Sequence, residues 1–551
     1  MGLAVAQTDC ANYGADGLRN HDLHHKVLQQ HAKQGAPISE EMALACVWDD
    51  QMLLDLGIET KFIPFVTIGG GLGSFAMVDL LRIAGVSSSD IEVIGPFDKS
   101  YGMLKVLLDN SQIPESERIR SGSSDRMDNL WGWPGYSLEE AFQDRRLAPI
   151  WHSVTEPILS EYHTPRASQV YSGIDREAQR IGWASMFTRG RVPFIRKRRE
   201  GGYYIVIVPP ENTSLSKLEI HQAKYVHLAV GFSGIHSLPD VITYKSKNHN
   251  NTLESDGGIP RVVNVYEPHE SIYQHVASNP SSILLRGAAS SAMQVIQRLA
   301  NDRKIAGSNV KLYHLIREHP DTAHQPLRSR IPTKNGFALQ AFTFAKGSFG
   351  GQIQRKYRKL QDDEKRVALL GSIASTAIPR RSLWEHQLEE AKRNGWYEVL
   401  VGSAGGLEIG ANGKVMSNIV KSDGSISRIE TDFVIDATGV EASLEDHEIL
   451  SDLVNCSGAK LNSIGQLDVN EAFEVEGTRS PGTDPSKPGR LFATGIATLG
   501  NPHCIAMYSF WGLQYSAWKT AEELSKDGFS KRIGFYRSTT SWIRRMRNRE
   551  P

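Results

Sequence analysis

Cysteine is scarce and scattered. Cys10, Cys46, Cys456 and Cys504 form no Cys-x-x-Cys pair and share no short spacing with histidine. A zinc site, a redox dithiol or an iron–sulfur cluster therefore has no ligand signature, and a secreted disulfide framework is disfavoured. Excess charge of either sign is missing too. Lys+Arg and Asp+Glu both number 62 in 551 residues, so no overall field favours nucleic acid or a membrane surface. Long unbroken apolar runs are lacking: the nearest, Phe62 to Val86, is interrupted by Asp79, Arg82 and a glycine cluster. It reads as a strand followed by a helix, with no transmembrane segment expected. The N-terminus has no basic n-region, and Ala6 replaces the hydroxyl residue of a myristoylation signal, so the expected compartment is the cytoplasm. There is no G-x-S-x-G elbow, no G-x-x-x-x-G-K-[ST] loop and no repeat of roughly 20–50 residues. Hydrolase, nucleoside triphosphatase and solenoid readings fall away. His21, His24 and His25 stand at helical spacing without a carboxylate motif; they read as an exposed helix face, and no metal is expected.

What is present in mild excess is glycine, with 49 residues. At 40% hydrophobic and 23% charged residues the chain is an ordinary globular one, long enough for two or three lobes. Segments beginning at Phe62, Ser282 and Arg490 share one grammar: an apolar run, a small-residue turn, then a helical pattern. Alternating units of this kind predict an α/β protein with parallel sheets. Val192–Arg199 and Tyr203–Val208, joined by Glu200-Gly201-Gly202, predict a hairpin within a small antiparallel β insert. Residues 1–60 read as a polar helical extension. Residues 318–400 read as a helical insert, with helices over Gln354–Leu370 and Leu383–Arg393.

The first glycine loop stands in full context. A strand, Phe62–Ile68, leads into Gly69-Gly70-Gly71-Leu72-Gly73-Ser74, a helix over Phe75–Ile83 and a second strand, Ile91–Ile94. Gly69 permits the tight turn, Gly71 lets backbone approach a pyrophosphate, and small Ser74 allows helix and strand to touch. The helix N-terminus offers free N–H groups to the diphosphate. The acid expected to close the second strand and hold a ribose is replaced by Gly95-Pro96; Asp98, or Glu92 within the strand, is the available substitute.

The second loop has the register G-x-A-x-x-A. Ser281–Arg286 leads into Gly287-Ala288-Ala289-Ser290-Ser291-Ala292, a helix through Met293–Asn301, and a strand over Lys311–Arg317. A methyl at Ala289 displaces a pyrophosphate outward. Arg317 closes the following strand where a base favours the 2′-phosphate of NADP, with Arg328 and Arg330 beyond. The alternative is a degenerate unit that no longer binds nicotinamide.

Three further strands end in a small residue and glycine: Tyr225–Gly231, Phe433–Gly439 and Leu491–Gly495. Such endings let the chain cross near a nucleotide without side-chain obstruction. Interleaved with two glycine loops, this layout resembles the flavoproteins with two dinucleotide-binding domains, among them flavin-containing monooxygenases, amine N-hydroxylases, Baeyer–Villiger enzymes and pyridine-nucleotide disulfide reductases. The resemblance covers about residues 61–527 in organisation. It implies an outer Rossmann-like domain for FAD, at 61–260 and 431–530, and a nested one for NADPH or NADH at 261–430, leaving a basic tail at 531–551. Gly69, Gly70, Gly71, Gly73 and Ser74 are the FAD-loop candidates, with Asp98 for the ribose; Gly287, Ser290, Ser291 and Arg317 are the nicotinamide candidates; Gly231, Gly439 and Gly495 are the strand-ending cofactor candidates, the last two resembling the ATG and terminal-strand motifs of that superfamily. The disulfide-reductase branch needs a Cys-x-x-Cys and a Gly-Asp ending, whereas here Ile496 follows Gly495. The expectation is therefore an FAD-dependent, NAD(P)H-consuming monooxygenase acting with O₂ on a small nucleophilic substrate. Two alternatives remain: a reductase passing electrons to a quinone or a carrier protein, and a non-catalytic nucleotide sensor. The pattern assigns no catalytic residue beyond the candidate His503, in the turn before a helix expected over Ile505–Leu524. Trp131-Gly132-Trp133-Pro134-Gly135-Tyr136 reads as a packed turn or a flavin wall, and Phe342–Gly351 as a loop or lid. Arg196–Arg199 reads as a solvated hairpin tip, and the tail as a frayed terminus with some capacity to touch a membrane.

Overall fold

The computed structural model describes Ile38, Met42 and residues 45–551, apart from 120–125, 128–134, 160–162, 211–218, 233, 249–251, 254–257, 289, 318–329, 333–337, 341–349, 374–376, 380–381, 411–412, 442, 446, 481, 485–487 and 506. His21, His24, His25, Trp131, Trp133, Ala289, Arg328 and most of the Phe342–Gly351 loop lie outside the described residues.

Two parallel five-stranded sheets form the α/β framework. In the outer sheet the order is Arg490–Ala493, Tyr225–Leu228, Phe65–Ile68, Ile91–Gly95 and Phe187–Arg189. In the nested sheet it is Val262–Asn264, Phe433–Asp436, Ser281–Arg286, Val310–Ile316 and Tyr397–Val401. Each glycine-loop strand is central in its sheet, so its side chains are buried on both faces, as apolar Phe65-Val66 and Ile283-Leu284-Leu285 require.

Alternation divides the outer sheet between two cores. Phe65, Ile91, Val93 and Phe492 pack against the helices Leu72–Ile83, Ala167–Ile181 and Phe510–Lys526. Val66, Ile68, Val226 and Leu491 pack against a second sheet through Ile195, Tyr203 and Ile205. This second sheet contains the expected hairpin, with Ile195–Arg198 paired antiparallel to Tyr203–Ile207, but it is larger than an insert. Glu219–Ala223 extends it, and Val47–Trp48 and Thr60–Phe62 form its edges. The extension 1–60 is thus, from Val47 onward, partly strand; the helix Asp50–Asp55 is its only α-helix of the described residues beyond Val47.

Pro64 accounts for one revised boundary. The predicted strand Phe62–Ile68 is two strands in two sheets, because a proline cannot donate to a ladder and the chain changes layer there. Lys61 pairs with His221 and Phe65 with Tyr225, so the partner chain bends at the same level.

The nested lobe repeats the layering. Helices Glu270–Ser278, Ser290–Ala306 and Ser382–Arg393 cover one face through Ile272, Met293, Leu299 and Leu388. Helix Pro239–Lys247 and an antiparallel sheet (Ser403–Ile409, Val415–Val420, Ile426–Thr431) cover the other through Val241, Tyr244, Val415 and Ile419. That sheet was not anticipated. Phe433–Asp436 belongs to the nested sheet, so the return to the outer lobe follows Gly439 instead of beginning at 431. The crossings themselves pair: Gly234–Ile235 lies antiparallel to Val440–Glu441.

Within 318–400, the expected helix Gln354–Leu370 is two, Gly351–Arg358 and Asp363–Ile373, and a small three-stranded sheet accompanies them. Arg196 overturns the solvated-tip reading: its guanidinium is fully buried and meets Asp452 at 2.7 and 3.0 Å. Arg198 pairs with Asp50. The tail is a helix, Phe535–Met546, and not a frayed end. Arg537 donates to the Ile83 carbonyl at 3.2 Å, and Arg180 to the Arg549 carbonyl at 3.2 Å.

Candidate functional site

The carboxyl ends of the central parallel strands are where an open α/β sheet offers a crevice. In the outer sheet, Ile68 leads to Gly69, Leu228 to Ala229 and Gly231, and Ala493 to Thr494 and Gly495. Gly69 has φ +121°, and a Cβ there would lie 2.3 Å from the Ala229 carbonyl oxygen. Only glycine lets these two backbones meet. Gly70 also has positive φ, whereas Gly71 has φ −88° and caps the helix Leu72–Ile83. A Cβ on Gly71 would meet nothing within 4 Å, nor would one on Gly231. The loop is tight beneath and open above.

Sequence reasoning gave Ser74 the helix–strand contact. Ser74 meets the adjoining strand at Thr67, and Gly73 brings the helix close to the neighbouring strand ends: a Cβ there would stand 3.0 Å from both the Ala229 and Thr494 side chains. Ser74 is fully buried, and its hydroxyl accepts from Thr67 at 2.9 Å. Since the Thr67 proton is committed, His227 Nδ1 donates to the Thr67 oxygen, also at 2.9 Å. Burial alone holds His227 down to about 3 from 6.5, so it is neutral at physiological pH. This Thr67–Ser74–His227 chain fixes the strand under the loop. Nothing in the local sequence pointed to His227, which is distant in the chain.

The absent acid has a steric reason. A Cβ at Gly95 would sit 2.8 Å from the Gly69 oxygen and the Gly70 Cα, so a carboxylate side chain cannot stand there. Glu92 is unavailable as a substitute: it is buried, accepts from Thr188 at 2.7 Å and pairs with His221 at 2.7 Å. Asp98 is exposed just beyond the strand and accepts from the Lys99 N–H at 3.0 Å, leaving its second oxygen.

The nested loop copies the outer one. Gly287 has φ +111°, and a Cβ would lie 2.3 Å from the Ala437 carbonyl oxygen. The helix begins at Ser290. The Ser291 hydroxyl lies 3.0 Å from the Tyr266 hydroxyl, and His314 Nε2 lies 2.6 Å from the Gly287 oxygen. Gly439 has φ +133° with no atom within 4 Å of an added Cβ. Arg317 is exposed directly after the strand Val310–Ile316. At the ends of adjacent strands, Arg286 pairs with Asp240 at 2.9 Å, while burial raises the Asp436 carboxyl above its ordinary range.

Gly495 opens the turn that leads past His503 to the helix Phe510–Lys526. That helix starts later than expected, where the Ser509 hydroxyl accepts from the Gly512 N–H at 3.0 Å. His503 does not project from a helix terminus. Its ring packs edge-on to Phe473 at 6.4 Å, and burial lowers its pKa. Its carbonyl accepts from Gln354 at 2.8 Å and Arg358 at 3.2 Å, and the Gly500 carbonyl accepts from Arg366 at 2.8 Å. The helices of the 318–400 segment therefore cover the turn after Gly495. Of the Trp131–Tyr136 motif only Gly135 and Tyr136 are among the described residues; Tyr136 opens the helix Tyr136–Asp144 and is fully buried, with the Arg126 guanidinium 4.6 Å from its ring centre. Among the described residues no cluster of His, Cys, Asp and Glu could hold a metal, and no helix is long and apolar enough to cross a membrane.

Neither a protein-family model nor a curated protein matches the sequence. Solved structures match it over most of its length. The FAD-bound cadaverine monooxygenase DfoA of the desferrioxamine pathway of Erwinia amylovora aligns with a TM-score of 0.60 at 14% identity, covering 86% of this chain and 98% of that one. The ornithine N-hydroxylase KtzI of Kutzneria sp. 744, with reduced FAD, NADP⁺ and L-ornithine, gives 0.59 at 11%, covering 85% and 100%. The ornithine hydroxylase PvdA of Pseudomonas aeruginosa gives 0.57 at 13%, covering 84% and 99%. At these identities the likeness establishes the fold.

Proposed function

We propose that the chain is an FAD-dependent, NADPH-consuming monooxygenase that hydroxylates the amine nitrogen of a small substrate. The observation that carries this reading is the repeated cradle: Gly69 against Ala229 and Gly287 against Ala437, one in each parallel sheet, on a fold shared with N-hydroxylating enzymes. Both cradles fit a dinucleotide. Each has a glycine forced by backbone contact below, and Gly71, Gly231 and Gly439 leave space above.

In this reading Gly69, Gly70 and Gly71 and the N-terminus of Leu72–Ile83 hold the FAD pyrophosphate. Gly73 and Ser74 fix the helix beneath it, and Asp98 takes the ribose. Gly231 and Gly495 keep side chains away from the cofactor. Gly287, Ser290 and Ser291 hold the NADPH diphosphate, Arg317 its 2′-phosphate, and Gly439 the crossing beside it. When bound, FAD supplies oxygen activation and NADPH the electrons. The protein excludes water around that chemistry, and the cover provided by Gln354, Arg358 and Arg366 over the Gly500–His503 turn serves this purpose. The outer lobe then comprises Lys61 to about Gly231 and the chain after Gly439, with the nested lobe between.

The test is a purified protein with a flavin spectrum that NADPH bleaches and air restores, and a hydroxylamine product carrying label from ¹⁸O₂ with candidate diamines or basic amino acids. NADPH consumption that no amine converts into labelled product would point to the electron-transfer reading instead.

A further inference from the structure

The C-terminal helix Phe535–Met546 is mounted with its faces exchanged. A surface helix ordinarily turns its apolar stripe to the protein and its charges to water. Here the inward face carries Ser541, 4% exposed, together with Arg537 and Arg545. Arg537 donates to the Ile83 carbonyl, and Arg545 approaches Glu177 at 3.9 Å. Helical spacing places Phe535, Thr539, Ile543 and Met546 on the opposite face, with Tyr536 beside them. Phe535 is 88% and Tyr536 81% exposed, and Ile543 and Met546 are exposed as well. Lys531 and Arg532 before the helix and Arg547 and Arg549 after it are exposed, as is Arg544, which helical spacing places in line with Arg537. Glu550 is the only acid between Lys531 and Pro551, in a chain whose total charge is zero.

We infer that this face docks on an anionic bilayer surface, with the Phe535–Met546 stripe at the headgroup–acyl boundary and the arginines on lipid phosphates. Polar contacts hold the helix to the protein so that its apolar side is free for the lipid. An aromatic and aliphatic stripe flanked by arginine is the composition that partitions into a charged interface. A second copy of the chain fits less well: an isologous contact on this face would set the basic groups at the two ends of the helix against like charges. One three-turn helix gives reversible surface association, not anchoring. The inference is independent of the catalytic reading.

Flotation of the full-length protein with vesicles of phosphatidylcholine, with and without phosphatidylglycerol, tests it. The protein is expected to float with the anionic vesicles, weakly with the neutral ones, and less at high salt. Arg544→Gln/Arg547→Gln should lower the partition coefficient, read from the bound fraction across a lipid titration, about fivefold per arginine. Phe535→Ser/Tyr536→Ser should abolish flotation while the thermal unfolding midpoint is unchanged, since neither side chain is packed. Absence of flotation with anionic vesicles would overturn the inference, as would flotation that survives both double substitutions. So would a dimer in sedimentation velocity that Phe535→Ser/Tyr536→Ser dissolves, which would assign the face to a second copy.

Discussion

Ile235 and Val440 face each other across a two-residue antiparallel ribbon, and they stand on the two segments by which the chain crosses between its lobes. Both crossings follow a glycine of positive φ, Gly231 at +76° and Gly439 at +133°. The pairing ties the two connections into one ribbon, where a hinge between the lobes would act. Gly439→Ala should strain the hinge by roughly 1–3 kcal/mol. The expected outcome is slower flavin reduction by NADPH in stopped flow, with the oxidised flavin spectrum unaltered. An unchanged reduction rate would remove the hinge from the reaction.

Gly69 and Gly71 should fail in different ways. Gly69→Ala places a methyl against the Ala229 carbonyl and should lower the unfolding midpoint even of flavin-stripped protein. Gly71→Val enters open space at φ −88°, so the stripped protein should unfold as wild type does. Its flavin should nevertheless be lost, and a Gly71→Val protein that remains yellow after gel filtration would refute the pyrophosphate assignment.

The Arg196–Asp452 pair is fully buried, with the Arg196 guanidinium 4.3 Å from the Phe194 ring centre. Asp452→Ala leaves a guanidinium without its bidentate partner and should cost about 3–5 kcal/mol in denaturant unfolding. Arg196→Met/Asp452→Leu removes both charges and should recover most of that loss. Equal losses in the single and double variants would show that packing, not charge, governs the position.

Buried neutral histidines predict acid lability. His227 is held to about 3, and His314 and His447 to about 4, each by burial. Below 6.5 the unfolded chain takes up protons that the folded one refuses, so stability falls as pH drops from 6.5 towards the folded values. Each such group contributes up to about 1.4 kcal/mol per pH unit in that window. The unfolding midpoint should therefore decline between pH 6.5 and 5, before carboxylates protonate, and His227→Gln should flatten the slope.

Arg317 is exposed and free to meet a 2′-phosphate. Arg317→Ala should raise KM for NADPH roughly tenfold, the magnitude of one charged hydrogen bond, and leave KM for NADH nearly unchanged. Equal shifts for the two cofactors would move phosphate recognition elsewhere.

The glycine loops, the hairpin and the parallel sheets were legible because each is dictated locally, by a turn that needs positive φ or by an apolar run of strand length. What escaped depends on partners remote in sequence. Arg196 lies in a run of four basic residues, and the carboxylate that balances its buried charge, Asp452, stands on a distant helix. His227 sits in an ordinary apolar strand and acquires its role from Thr67. Gly95 looked like a missing acid until Gly69 and Gly70 were seen to occupy the space. Pro64 was a local signal, and it could have divided the first strand from sequence alone. The outward stripe of the last helix is periodic in the sequence, but periodicity does not say which face meets the protein.

Val226 and Leu491 are register neighbours in the outer sheet, although the whole nested lobe lies between them in the chain. During synthesis the first four strands of that sheet emerge long before the fifth. Until Arg490–Ala493 arrives, Tyr225–Leu228 is an open edge with unpaired backbone groups, able to recruit another chain. The nested lobe can complete its own sheet in that interval, because all its strands precede residue 437. A ribosome stalled or a message truncated before codon 490 would thus release a finished inner lobe joined to an adhesive outer one, and such fragments should be the chaperone-dependent, aggregating species in its biogenesis.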